Sequence, residues 1–321
     1  MGMDTNQTIS KISSIFMPHA FERWQKLNAA GGRFVHYTSA ENAIKIISNK
    51  ELWMRDPRCM NDYSEVKHGY SIIHNYFNER CRLESFSSLL NNCGDGIAEH
   101  VFAAFRGLST LTQQNTFIAC LSEHDDREND HGRLSMWRSY GRGSASVAIV
   151  LKLSTVKVAP LQTFLSPVAY FEPDQVALEI QRVAANIEEN RSFLQAVDRN
   201  LVFSSAFMML TMAAISLKHV GFREEREWRL IHSPVNFSSG FMTTSLETIG
   251  GIPQFVCKIP LKNIPEVGIS GISLPEIFDS LIIGPTVYPD PIANAFIRAL
   301  TDAGVQDAGK RVVISRIPLR T

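Results

Sequence analysis

Between Leu201 and Leu217 the chain runs for 17 residues, "LVFSSAFMMLTMAAISL", without a charged side chain. Apolar surface of that extent has to be covered, by lipid or by protein. A membrane span needs about 20 predominantly apolar residues. This stretch is shorter and carries Ser204, Ser205, Thr211 and Ser216. It therefore reads as a helix buried in a soluble fold, which needs enough other chain to surround it. The 321 residues supply that cover, as one large domain or two ordinary ones. At 45% apolar and 20% charged the composition is that of a globular protein.

The remaining patterns supply the sheet. "NTFIACLS", Asn115 to Ser122, is continuously apolar and reads as a central strand covered on both faces. Ala145 to Leu153 is a second such strand. Arg33–Thr38, "ELWMR", "PVAYF", "EREWRLIH", "FVCKIP", "DSLIIGP" and "RVVISRIP" complete the set. Helices are expected after Ser39 as N-cap, over Tyr63–Arg80, over 84–108 with a break at "NNCGDG", over Asp174–Val197, over Arg199–Val220 and over Pro291–Ala303. A Ser/Gly/Thr-rich loop is expected at 236–251. No clean βαβ alternation runs through this order. The expected fold is α+β, a mixed central β-sheet with two large helical insertions at 63–110 and 174–220. Residues 1–32 are expected to be a helical extension with one short amphipathic helix around Phe21–Leu27, and residues 33–321 one domain.

Lys plus Arg and Asp plus Glu are 32 each, so the net charge is zero and nucleic-acid binding is disfavoured. Five scattered cysteines without CxxC spacing point to free thiols in a reducing cytoplasm. The N-terminus has no basic, apolar leader, and no membrane partner is expected.

Four stretches offer chemistry. In "GFREEREWRLIH" strand alternation puts Glu225, Glu227 and Arg229 on one face and Arg226, Trp228, Leu230 and His232 on the other. The first face is either washed by solvent or lines a site that uses carboxylates. In "HYTS", His36 and Thr38 share a strand face opposite Tyr37. In "SMWRSYGRG", Trp137 and Tyr140 are neighbours on a helical turn, either core or a stacking platform. Arg138 and Arg142 nearby suit a pyrophosphate. The glycines there follow the helix and lack the third member, which rejects a dinucleotide fingerprint. "HDDRENDH" offers His124, Asp125, Asp130 and His131 to a divalent metal, in a spacing that matches no rigid motif; a solvated loop is the simpler reading, and no metal site is assigned.

Taken in order, "HYTS" with "LWM", "MNDYSE", "FIACLSE" with "MWRSY", "EREWRLI" and "LIIGP" resemble a widespread bacterial family known only as a domain of unknown function, over about residues 33–318. Its members read FNDP where Met60-Asn61-Asp62-Tyr63 stands here, and many carry His at Ser139. The opening strand ending in His-x-Thr, followed by "AIKIISNKEL", is also similar to ADP-ribosyltransferase-like domains, among them DNA-targeting toxins and RNA 2′-phosphotransferases. That resemblance implies an ADP-ribosyltransferase-like fold with NAD as substrate. It casts Glu227, Glu225, His36 and Tyr140 as catalytic, and His36, Thr38, Trp137, Arg138, Tyr140, Arg142 and Arg229 as NAD-binding. A transferase or NAD glycohydrolase of this kind would suit a bacterial toxin, effector or anti-phage protein, its acceptor unspecified. A ligand-binding sensor that kept the fold, and a metal-dependent hydrolase or nuclease, are the alternatives.

Overall fold

The computed structural model describes residues 4–60, 65–140, 145–153 and 156–318. Helices α1 (Thr5–Phe16) and α2 (Pro18–Ala29) precede β1 (Arg33–Ser39), α3 (Ala40–Asn49) and β2 (Glu51–Arg55). Then come α4 (Glu65–Asn78), α5 (Arg80–Cys93) and α6 (Ile97–Gln114). β3 (Phe117–Glu123), α7 (Leu134–Tyr140), β4 (Ser146–Lys152) and β5 (Phe164–Pro167) lead to α8 (Pro173–Glu189), α9 (Arg191–Ala196) and α10 (Arg199–Ser216). The chain closes through β6 (Glu227–His232), β7 (Thr243–Ile249), β8 (Ile252–Pro260), α11 (Leu274–Ile277), β9 (Phe278–Ile283), α12 (Pro289–Asp302), α13 (Ala308–Arg311) and β10 (Val312–Ile314). The fold is α+β, as the sequence implies.

The elements divide into two compact units. Residues 1–26, 60–115 and 166–223 form a helical unit, and residues 27–59, 116–165 and 224–321 a sheet unit. The expected N-terminal extension and the two expected insertions are thus one assembly.

In the helical unit α10 is the covered element. Val202, Ala206, Leu210, Ala214 and Ile215 are fully buried, and α1, α4 and α6 pack around it. Gly69 of α4 lets the two backbones touch: a Cβ there would lie 1.9 Å from the Ala214 carbonyl oxygen. Among the described residues α10 is the one helix long and apolar enough to cross a membrane, and 61% of that window is buried in protein, as in a core helix.

In the sheet unit the strands run in the order β10-β9-β4-β1-β3-β2-β8-β7, with β6 also on β3 and β5 beside β6. The sheet is mixed, because β9 and β10 are parallel while β1 is antiparallel to both β3 and β4. β3 is a branch point. β6 follows one of its edges from Phe117 to Ser122. The other edge meets β1 at Ser122 and Glu123, and β2 at Ile118. Between those contacts the edge forks. The Cys120 carbonyl in the fork accepts a hydrogen bond from the Nδ1–H of His36, at 2.9 Å. A carbonyl only accepts, so the proton is on Nδ1.

The pairing fixes two faces. Phe34, His36 and Thr38 of β1 share one with Ile149 and Val147 of β4, which α3 and α12 cover with Ile47 and Phe296. Val35 and Tyr37 share the other with Val150 and Ala148, covered by Met136 and Trp137 of α7.

Four expectations need correction. "PVAYF" is no strand, because β5 ends at Pro167 and Ala169 makes only an isolated bridge to Leu217. The 236–251 loop contains β7, an edge strand whose Leu246 and cross-strand partner Phe255 are both exposed, so no apolar face marks it. The helix over 174–197 breaks at Asn190. The N-terminal segment holds two helices instead of one, the first opened by an Asp4–Gln7 capping box.

His36→Phe deletes the donor at the fork and should cost about 0.5–1.5 kcal/mol, the net worth of a typical hydrogen bond. His36→Gln, which keeps a donor, should lose less. Urea unfolding of the three proteins checks this, and equal stability of His36→Phe and the parent would remove the fork bond as a structural element.

Candidate functional site

The site forms where β6 begins. Residues Val220–Glu225 are a 3₁₀ turn, and Arg226 has φ +45, in the left-handed region. The strand therefore starts at Glu227, and alternation holds for Glu227 and Arg229 but not for Glu225. Arg133, at the start of α7, holds this turn. Its guanidinium donates to the Glu224 and Glu225 carbonyls at 3.0 and 2.8 Å, to the Glu123 carbonyl at 2.9 Å and to the Glu128 carboxylate. Its backbone N–H donates to the Tyr37 hydroxyl at 2.8 Å. Burial alone would push the Glu128 carboxyl up, but Arg133 and Arg226 overcome that and hold it below its ordinary value. Arg226 reaches the same carboxylate at 2.6 Å.

The turn delivers Glu225 to the face already occupied by Glu227. Val35, Tyr37, Cys120, Ser122, Met136, Tyr140, Glu225 and Glu227 line one small hollow of about 10 Å³, room for about one water. Register agrees: Ser122 is opposite Glu227 and Cys120 opposite Arg229. Glu227 is 3% exposed and accepts at 3.0 Å from the Nε–H of Arg229, itself 2% exposed. A buried carboxylate needs such a partner. Burial pushes the Tyr37 hydroxyl up to about 12, against the bond from the Arg133 N–H. Arg55 of β2 lies within electrostatic reach of Cys120 and Tyr140; burial is the main cause that lowers its pKa. It donates to Gln254 at 3.0 Å and to the Cys59 carbonyl at 2.6 Å.

The candidates from sequence separate accordingly. Glu225, Glu227 and Tyr140 are brought together, with Arg229 bonded to Glu227. His36 and Thr38 are not among them: they lie on the opposite face of β1 from the hollow, and His36 is committed to the Cys120 carbonyl. Trp137 is no stacking platform. It is 1% exposed, donates to the His131 carbonyl at 2.7 Å and meets the Tyr37 ring edge-on. Gly132 and Gly284 make room for it, since a Cβ at either would come within 3.0 Å of its ring. Arg138 is exposed, and Arg142 lies outside the described residues. Among the described residues no three His, Cys, Asp or Glu side chains gather as metal ligands. In the "HDDRENDH" loop, Asp125 caps the turn at Arg127 and the Nε2–H of His124 is given to Asn129.

Tyr37, Ser122, Cys120 and Arg55 went unread. Tyr37 was legible in principle: alternation puts it on whichever face His36 does not use. The other three depend on strand register, which no local pattern reports.

Residues 136–230 match the model of a family described as a protein of unknown function (DUF2971). The match contains the "MWRSY" block and "EREWRL" of the last one, hence Tyr140, Glu225, Glu227 and Arg229, and it supports the resemblance to an uncharacterised family. No curated protein matches. No solved structure matches.

Arg229→Met should remove the Nε–H bond to the buried Glu227 carboxylate and cost about 1.5–3 kcal/mol, and adding Glu227→Gln should return part of that loss. Urea unfolding of the single and double variants measures it; a harmless Arg229→Met would mean Glu227 does not need the pair. Burial also holds His36, His124 and His232 below the ordinary 6.5. The unfolded chain takes up those protons first, so stability should be level above about pH 7 and fall as pH drops from about 6.5 toward 5. An unchanged melting temperature across that window would contradict it.

Proposed function

We propose that the chain consumes NAD as an ADP-ribosyl-type enzyme, transferase or glycohydrolase, with Glu227 as its catalytic carboxylate. One observation carries the reading. Glu227, 3% exposed, borders a hollow that a second carboxylate, Glu225, and two tyrosines also border. Cleavage of the nicotinamide–ribose bond builds positive charge on the ribose, as in glycoside hydrolysis. A fixed carboxylate stabilises that charge most where water is excluded. Arg229 keeps Glu227 oriented in this role. Glu225, on a turn, can take the proton of the acceptor hydroxyl or water.

The other roles shift from those the resemblance implies. Tyr140 is the aromatic that lines the hollow, in place of the enclosed Trp137. Arg55, half-buried and within electrostatic reach of Cys120 and Tyr140, is the cation suited to the pyrophosphate. His36 and Thr38 drop out. A nicotinamide ribose reaching Glu227 has to displace Tyr140 or the turn at Glu224–Arg226, because the hollow itself holds about one water.

That small volume also favours a second reading, a non-catalytic sensor that binds a smaller ligand. Incubation with NAD, read as free nicotinamide by chromatography, separates the two. The enzyme reading expects turnover that Glu227→Gln lowers by about 100-fold or more and that Arg138→Ala leaves alone. Saturable binding of a smaller ligand, with no nicotinamide released from NAD, supports the sensor, and turnover indifferent to Glu227→Gln removes the assignment of the carboxylate.

A further inference from the structure

The helical unit contains a larger cavity, unrelated to the carboxylate hollow. Its volume is about 100 Å³. An engineered apolar cavity of about 150 Å³ stays dry and binds benzene, so this one is of the right order for a single ring or a short alkyl chain. Its wall is almost wholly apolar: Phe16 at the end of α1, Val183 of α8, and Met209, Met212 and Ala213 of α10. Methionine side chains are unbranched and adapt to what they cover.

One polar group in the wall is the ring of His19, one residue into α2. Its Nε2 is buried and finds no hydrogen-bond partner among the described residues. A buried polar atom in an apolar wall costs stability unless something pairs with it. Burial lowers the ring's pKa to about 4, with Arg23 adding to the effect, so the imidazole is neutral near pH 7. Phe171 meets the ring edge-on at 4.9 Å, and Glu179 accepts from the His19 backbone N–H at 3.0 Å. Glu179 also lines the cavity. Among the described residues no Lys or Arg lines the cavity; Arg23, Lys26 and Arg182 act on the ring from outside the lining, and Arg182 pairs with Glu179 at 3.6 Å, so an anionic head group meets a neutral imidazole and a carboxylate. A hydroxyl can donate to or accept from Nε2, whichever tautomer is present.

We propose that this cavity is a binding site for a small neutral amphiphile, a single ring or short alkyl chain bearing one hydroxyl, which pairs with His19 Nε2 and packs against Met209 and Met212. The ligand's apolar body replaces cavity surface that otherwise lacks contact atoms, and its hydroxyl satisfies the nitrogen. Nothing in this inference depends on NAD turnover.

The test uses the full chain with ¹³C-methyl methionine, titrated with phenol and with hexan-1-ol, and with toluene and hexanoate as controls. The expected result is saturable shifts of the Met209 and Met212 methyl signals with both hydroxyl probes. Phenol should bind at least about tenfold more tightly than toluene, and hexanoate should bind less tightly than hexan-1-ol. His19→Phe should abolish the preference for phenol over toluene. Ala213→Leu fills the space from α10 and should abolish the shifts while the circular dichroism spectrum holds; Val183→Phe serves if that variant does not fold. No saturable shift from either hydroxyl probe, or binding indifferent to both filling variants, overturns the proposal. So does a preference for phenol that survives His19→Phe.

Discussion

The arrangement around the carboxylates rests on one guanidinium. Arg133 ties the end of β3, the turn before β6 and the start of α7 through bonds to the carbonyls of Glu123, Glu224 and Glu225 and to the Glu128 carboxylate. A planar fork of donors suits such a task, since its bonds fix direction as well as distance. The turn it holds includes Arg226 at positive φ, a conformation that costs about 1 kcal/mol or more for a residue with a Cβ. The second anchor, Arg226 on Glu128, pulls against that cost. The chain leaves the extended conformation before Glu227, yet Glu225 still reaches the same hollow, one carboxylate from a turn and the other from a strand.

The same strand face explains the tyrosine and the histidine. On β1, residues one apart look in opposite directions. Tyr37 faces the hollow and anchors α7 through its hydroxyl. His36 faces away and occupies the fork where β1 and β2 share one edge of β3. A fork leaves backbone groups without a continuous ladder, and such groups are paired by other means when buried. The imidazole does this for Cys120. Its commitment is therefore the consequence of a sheet that branches, and it stands apart from the carboxylates by construction.

How much could be read from the sequence follows from the range of each signal. α3, with Ser39 as its cap, β2 and β3 were legible because cap, period and apolar run are all local. So was α10, whose uncharged run had to be enclosed. Glu227 and Arg229 on one face followed from the two-residue period. The break at Arg226 did not, because nothing in "GFREEREWRLIH" signals a left-handed residue; glycine would have. β7 escaped because both faces of an exposed edge strand can be polar. Trp137 read as either core or stacking surface, and the choice was not local, because its neighbours in space, Gly132, Gly284 and Tyr37, lie on three different segments. The grouping of residues 1–26 with both insertions is a long-range fact of the same kind.

The pairing of Glu227 with Arg229 has two consequences that pull in different directions. Arg229 makes a charged carboxylate tolerable at 3% exposure, yet it also neutralises the field that a developing cation would feel. A lone buried Glu–Arg pair would therefore be a structural element and little more. Glu225 changes that balance. It adds a second negative charge at the hollow without adding a cation to the strand, and it does so from a turn that Arg133 grips by its backbone. Arg55 of β2 lies within electrostatic reach of Cys120 and Tyr140, two residues that line the hollow. Under the proposed function the two carboxylates would meet the centre that turns cationic, and Arg55 the phosphates.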